Sequence, residues 1–312
     1  MNPRSSRVPR VITPSRRQFL AGATAATLLA ACGSGDDDTS TGSPDDTAVT
    51  LDPADLSVVR FFGPYYGAEE TARIPFGLSD SAGLLPADVL PGNVTVAVRN
   101  PEGEVVAEGL TAALRTEGLP RPYYAFEFTP ALVGFYDFTM EVEGSEVISQ
   151  FQVIEADAAE IVDRVGPGDM MPALQTPTVD DARGVTPICT REPACALHER
   201  AVAEVVGNGP MALLVATPAF CQTVICGPVL DLMVDLVPEF PDVSFVHAEV
   251  FTDPTQNETP PVIEDFAPVV RELGLPYEPV FYVVDGDGVV RDRLDYIFDS
   301  SDMRASLEAA VV

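Results

Sequence analysis

The chain has 312 residues, of which 18 are basic and 48 acidic, and its formal net charge is −30 at pH 7. Such an acidic surface repels nucleic acid and anionic lipid head groups, so nucleic-acid binding is excluded from the expected functions. The length allows two domains. With two His and no Trp, the composition indicates neither a His-rich metal centre nor a bound cofactor.

The N-terminus carries an export signal. Arg16 and Arg17 precede an apolar run that ends at Ala31, and residues 1–31 contain five Arg and no acidic residue. About a dozen apolar residues are too few to span a bilayer, which needs about 20, but they suit a cleavable signal peptide. The segment resembles a twin-arginine signal followed by a lipobox, which implies a lipid on Cys32. We therefore expect a protein anchored by that lipid to the extracytoplasmic face of the cell membrane.

Two segments follow the signal. Residues 32–52 are acidic and rich in Gly, Ser and Pro, which predicts a flexible tether. In residues 53–156, apolar and polar residues alternate in short runs separated by turns, as at Val94, Val96 and Val98. This period of two predicts an antiparallel, immunoglobulin-like β-sandwich, to which the sequence gives no ligand.

The second half has a different pattern. Residues 157–187 are rich in Pro, Gly and Asp and predict a linker. In residues 188–312 the pattern alternates between helix and strand, which predicts an α/β domain. The expected helices cover 196–206, 224–236, 262–273 and 301–311, and the expected strands 211–216, 243–250, 280–284 and 289–298.

Residues 195–312 resemble the thioredoxin-like fold superfamily. The run from Leu213 to Cys221 is similar to the strand and loop that deliver its nucleophilic Cys, and Glu278-Pro279 to its cis-Pro loop. The resemblance implies a thiol–disulfide oxidoreductase acting on protein thiols or disulfides. Cys221 would attack, Cys226 would resolve the mixed disulfide, and Pro279 would shape the substrate groove.

The spacing of the two Cys departs from the family's Cys-x-x-Cys. Cys221 and Cys226 are five residues apart, which in a helix is about 7.5 Å along the axis. A disulfide needs Cα atoms within about 7 Å, so either Cys221 precedes the first turn or the helix start unwinds on oxidation. The same spacing occurs in bacterioferritin-comigratory-type peroxiredoxins, which leaves peroxide reduction as an alternative.

A second Cys pair precedes this motif. Cys189 and Cys195 enclose a five-residue loop containing a Pro, which favours a structural disulfide. His198 follows closely, so these residues could instead form part of a metal site, as in Sco-like copper proteins, with His247 as a distant ligand. The alternative to the enzyme is a non-catalytic binding or scaffold lipoprotein with structural disulfides.

Overall fold

The computed structural model describes residues 55–63, 65–158, 164–221, 224–255 and 261–311. The predicted signal with its Arg16 and Arg17, the lipidation site Cys32 and the whole tether lie outside these residues. All described residues belong to one compact unit. No helix in the described part of the chain is long and apolar enough to cross a membrane.

The N-terminal part of this unit is a β-sandwich, as predicted. Its strands are β1 Ser57–Arg60, β2 Tyr65–Gly67, β3 Ala72–Asp80, β4 Gly83–Leu84, β5 Asn93–Arg99, β6 Val105–Arg115, β7 Tyr123–Phe128, β8 Gly134–Val142 and β9 Ser145–Ile154. They join in the order β1-β3-β7-β6-β5-β8-β9-β2, with β4 paired to β3. All pairings are antiparallel except that of β2 with β9.

Alternation of side chains builds the core of the sandwich. On β5 the side chains of Val94, Val96 and Val98 are buried, and the residues between them point outward. Phe76 and Phe138 occupy the middle of this core, with ring centroids 5.4 Å apart. The period of two in the sequence is therefore the period of burial in the structure.

The C-terminal part contains a smaller mixed sheet with short helices. Its strands are β10 Met211–Val215, β11 Ser244–Ala248, β12 Val280–Val284 and β13 Val290–Asp295; its helices are α1 Val202–Val205, α2 Cys226–Leu236, α3 Pro268–Glu272 and α4 Ser300–Val311. The strand order is β11-β10-β12-β13, with β10 parallel to β11 and antiparallel to β12. Every residue of β10 is buried, because apolar side chains cover both faces of this central strand.

The segment predicted as a linker contributes to this core. Met171, Leu174 and Val185 are buried and pack in the same cluster as β10 and α1. The described residues of 157–187 contain no helix or strand. The segment predicted as a linker therefore packs against the C-terminal core at these three residues.

The sandwich and the C-terminal sheet are joined through α4. Asp302 on α4 accepts hydrogen bonds from Arg73 on β3 and Tyr123 on β7. Arg73 also donates to the carbonyl oxygen of Ile297 at 2.9 Å, and the Tyr123 ring lies in the core cluster of the C-terminal part. These contacts hold the two sheets together as parts of one unit.

These helices and strands show that the predicted fold class was wrong. We expected an α/β thioredoxin-like domain preceded by an all-β immunoglobulin-like sandwich, but the described residues are predominantly β, with about twice as many residues in strands as in helices, and no thioredoxin-like domain is evident among them. Two expected helices shrink, to the four residues of α1 and the five of α3. The sandwich contains most of the strands, and the described residues therefore belong to a predominantly β fold.

Candidate functional site

The Cys221–Cys226 disulfide lies before helix α2. The two Cα atoms are 5.9 Å apart, within the reach of a disulfide. The helix begins at Cys226, so Cys221 precedes the first turn, which is one of the two arrangements that the spacing allowed. Cys226 has no solvent exposure and packs in the core cluster with Leu230 and Phe298.

Glu278 lies beside this disulfide and was not among the predicted site residues. Its Oε2 atom accepts a hydrogen bond from the Thr217 N–H at 2.6 Å and lies 3.4 Å from the Cys226 sulfur. Burial raises the pKa of Glu278 to about 7, against the lowering effect of the Thr217 bond. Its place directly before Pro279, whose peptide bond is cis as expected, was the available signal in the sequence.

A second group of side chains, here called the Cys2His2 cluster, consists of Cys189, Cys195, His198 and His247. The first three lie in an irregular segment before α1, and His247 lies on β11. One ligand atom from each residue falls within 4.8 Å of those of the other three. The sequence suggested the first three as part of a metal site, with His247 as a distant candidate ligand, and the structure brings all four together.

The donor atoms of the Cys2His2 cluster face one another. The two sulfurs are 3.8 Å apart, and His247 Nδ1 lies 3.9 Å from Cys189 Sγ and 3.6 Å from Cys195 Sγ. His198 Nε2 lies 3.1 Å from His247 Nδ1. Both rings are buried, with His198 2% and His247 0% exposed.

The predicted bridge between Cys189 and Cys195 is absent, since both residues are thiols in the structure. The hydrogen bond between the sulfurs lowers the pKa of Cys189, against the effect of burial, and His198 lowers it further. The same bond raises the pKa of Cys195, with burial acting in the same direction.

Glu249 fixes the segment that carries the two thiols. Its carboxylate accepts hydrogen bonds from the Thr190 backbone N–H at 2.6 Å and from the Thr190 hydroxyl at 3.3 Å. Burial raises the pKa of Glu249 to about 7, although both Thr190 bonds lower it. The Thr190 hydroxyl also accepts the Ala219 N–H at 3.1 Å, which connects this segment to the loop before Cys221.

Comparisons with known proteins show only local, weak likenesses. No protein-family model matches the chain, and no curated protein matches it. Among solved structures, the filamin domain of Lin-41 is 19% identical with a TM-score of 0.24, and the match covers 32% of this chain and 91% of that one. Titin domain M7 is 12% identical with a TM-score of 0.20, over 32% and 95%.

A Salmonella alpha-2-macroglobulin is 16% identical with a TM-score of 0.24, and the match covers 54% of this chain but only 10% of that protein. Matches at this level carry no argument about function. The matched structures are immunoglobulin- and filamin-like all-β domains. The excess of strand over helix in the described residues contradicts the assignment of this chain to the thioredoxin-like superfamily, and the description as an oxidoreductase that followed from it is withdrawn.

Proposed function

We propose that the protein is a non-catalytic binding or scaffold lipoprotein, held at the extracytoplasmic membrane face by a lipid on Cys32. The Cys221–Cys226 disulfide then has a structural role, fixing the loop before α2 to the core. The observation that carries this proposal is the complete burial of Cys226 among apolar side chains of α2 and α4. The signal and lipobox residues support the location.

Burial bears on the chemistry of this bond. Thiol–disulfide exchange requires a thiolate to reach one of the sulfurs, and the core excludes an incoming thiolate from Cys226. Cys221 is partly exposed, so access to the pair is limited to one side. Exchange from solvent could therefore begin only at Cys221, and the closed bond restricts the unfolded chain.

The rigid contact between the two sheets suits a scaffold. Arg73 and Asp302 form an ion pair in which the side chains are 18% and 10% exposed. Arg115 adds a hydrogen bond to Ser301 at 2.6 Å. A surface on the sandwich therefore keeps a fixed orientation to the C-terminal sheet, as presentation of a binding surface requires.

Redox titration with mass mapping of each Cys tests the structural role. We expect the Cys221–Cys226 bond to stay closed down to potentials below about −300 mV, the range of structural disulfides. We also expect the Cys226→Ser variant to trap no mixed disulfides with other proteins. Reduction of the bond at clearly higher potentials, together with trapped partners, would refute the proposal.

A further inference from the structure

We propose that the Cys2His2 cluster, formed by Cys189, Cys195, His198 and His247, binds one zinc ion. The inference goes beyond the proposed function, because it assigns a bound metal ion to a part of the molecule that the scaffold role does not use. Two thiolates and two imidazoles are a donor set that zinc favours. None of the four residues takes part in the Cys221–Cys226 disulfide.

The spacing of the donor atoms is that of a tetrahedral site. Zinc lies about 2.3 Å from sulfur and about 2.0–2.1 Å from imidazole nitrogen. In a regular tetrahedron these lengths separate two sulfurs by about 3.8 Å, a sulfur and a nitrogen by about 3.6 Å, and two nitrogens by about 3.3 Å. The observed separations are 3.8 Å for the sulfurs, 3.6 and 3.9 Å from His247 Nδ1 to the sulfurs, and 3.1 Å for the nitrogens.

The orientation of His247 suits a metal ligand. Its Nε2 atom lies 3.0 Å from the carbonyl oxygen of Ala216, at the end of β10. A carbonyl oxygen only accepts, so Nε2 carries the proton and the lone pair of Nδ1 points to the other donors. A backbone carbonyl that fixes the tautomer in this way is a common outer partner of a zinc-bound histidine.

Charge balance favours a divalent cation at the same place. Zinc binding displaces the protons of the two thiols, and the divalent ion balances the two buried thiolates that form, which would be costly without it. A zinc ion neutralises both and gives each of the four donors a partner. Zinc binding would also tie the irregular segment of residues 189–198 to β11, which carries His247.

Binding of zinc to the purified protein in a Cys32→Ser background is the direct test. We expect one zinc ion per chain by mass spectrometry under native conditions, after preparation under reducing conditions. Cobalt(II), used as a probe, should give the absorption of a tetrahedral thiolate site. The variants Cys189→Ser and His247→Gln should each lower zinc affinity by at least about 100-fold, more than the loss of an outer partner causes.

The variant Glu199→Gln is the matched control, since it changes an exposed residue next to the ligand His198 and should keep the full zinc content. If Cys189→Ser or His247→Gln does not fold, zinc binding is tested by the protection of thiols in the protein that carries only Cys32→Ser. Zinc should slow the reaction of both Cys189 and Cys195 with a thiol reagent. Absence of zinc from the reduced protein with no thiol protection, or zinc binding that persists in Cys189→Ser, overturns the inference.

The outcome is separable from that of the scaffold proposal. A zinc site with a readily reduced Cys221–Cys226 bond would overturn the structural role of the disulfide alone. A stable disulfide in a chain that binds no zinc, with Cys189 joined to Cys195 instead, would overturn the metal site alone.

Discussion

Glu278 is a carboxyl group held in an apolar environment between a strand and a disulfide. Thr217 supplies one hydrogen bond from its backbone N–H, at 2.6 Å. This bond favours the carboxylate, but burial outweighs it, and the negative charge of Glu249 adds to the effect of burial. The folded protein therefore holds a proton on Glu278 more tightly than the unfolded chain does.

The stability of the protein should fall as pH rises through the range from about 4.5 to about 7. The pKa of Glu278 is about 7 in the folded state against an ordinary value of 4.5, so the folded state binds more protons in this window. Stability is then highest below the lower value and is lost as pH rises through the higher one, by at most about 3 kcal/mol. Chemical denaturation at a series of pH values measures this slope.

The Glu278→Gln variant should reduce the change of the free energy of unfolding with pH, because its amide does not ionise. The pH dependence that remains in this range is assigned to Glu249. Glu141→Gln, at an exposed position on β8, controls for the loss of a negative charge and should leave the slope unchanged. A slope that is the same in Glu278→Gln as in the unchanged protein would contradict the assignment.

At the scale of elements, helix α4 joins the sandwich through a charged pair in a partly buried place. Removing Asp302 leaves Arg73 with a desolvated positive charge and removes the acceptor of the Tyr123 hydroxyl. An unpaired charge in such a place is more costly than the pair is stabilising. The contact is therefore sensitive to the loss of one partner.

The Asp302→Asn variant should lower the free energy of unfolding by about 3 kcal/mol, the cost of breaking a buried ion pair. Chemical denaturation provides the measurement. The exposed pair of Arg304 with Glu239, which also involves α4, gives the control: Glu239→Gln should leave stability unchanged within error. An equal effect of both variants would show that the Arg73 pair is no different from a surface pair.

Much of the element pattern could be predicted from the sequence, because burial alternates with the period of each element. The strands at 211–216 and 280–284 and the helix at 224–236 are present as β10, β12 and α2, with small shifts at their ends. The predicted helix at 262–273 is shortened to α3, which begins at Pro268. Ile263–Asp265 form a separate 3-10 helix, and Phe266 after it is extended and bridges to Phe251. The predicted helix at 196–206 is shortened to α1, because the residues before Val202, including His198, have no helical structure.

The site was less predictable than the elements. His198 and His247 are 49 residues apart in sequence. They come together in the fold because β11 pairs with β10, which holds His247 Nε2 3.0 Å from the carbonyl oxygen of Ala216. No spacing rule in a single sequence reports such a meeting. The spacing of Cys189 and Cys195 favoured a disulfide, because a short loop containing Pro closes easily and the histidine that completes the cluster is remote.

At the scale of the whole molecule, the export signal and the acidic composition belong together. Residues 1–31 hold five of the 18 Arg and no acidic residue, so the rest of the chain carries 13 Arg against 48 acidic residues, a net charge of −35. Such a body does not adsorb to an anionic membrane on its own. The proposed attachment to the membrane therefore depends on the lipid at Cys32.

The Cys32→Ser variant should move the protein from the membrane to the soluble extracytoplasmic fraction, because it removes the acylated sulfur. Replacing Arg16 and Arg17 by Lys should instead retain the protein inside the cell. Fractionation followed by immunodetection separates these outcomes. Membrane attachment that survives in Cys32→Ser would contradict lipid anchoring.

The contact between Arg73 and Asp302 spans 229 residues of sequence, and this separation has a consequence for synthesis. Chains emerge from the ribosome N-terminus first, so the strands of the sandwich are complete long before Asp302 exists. Until α4 has been synthesised, Arg73 lies beside Tyr123 without the carboxylate of Asp302. The finished unit is therefore assembled after translation ends, in the interval before a transporter of folded proteins would receive it.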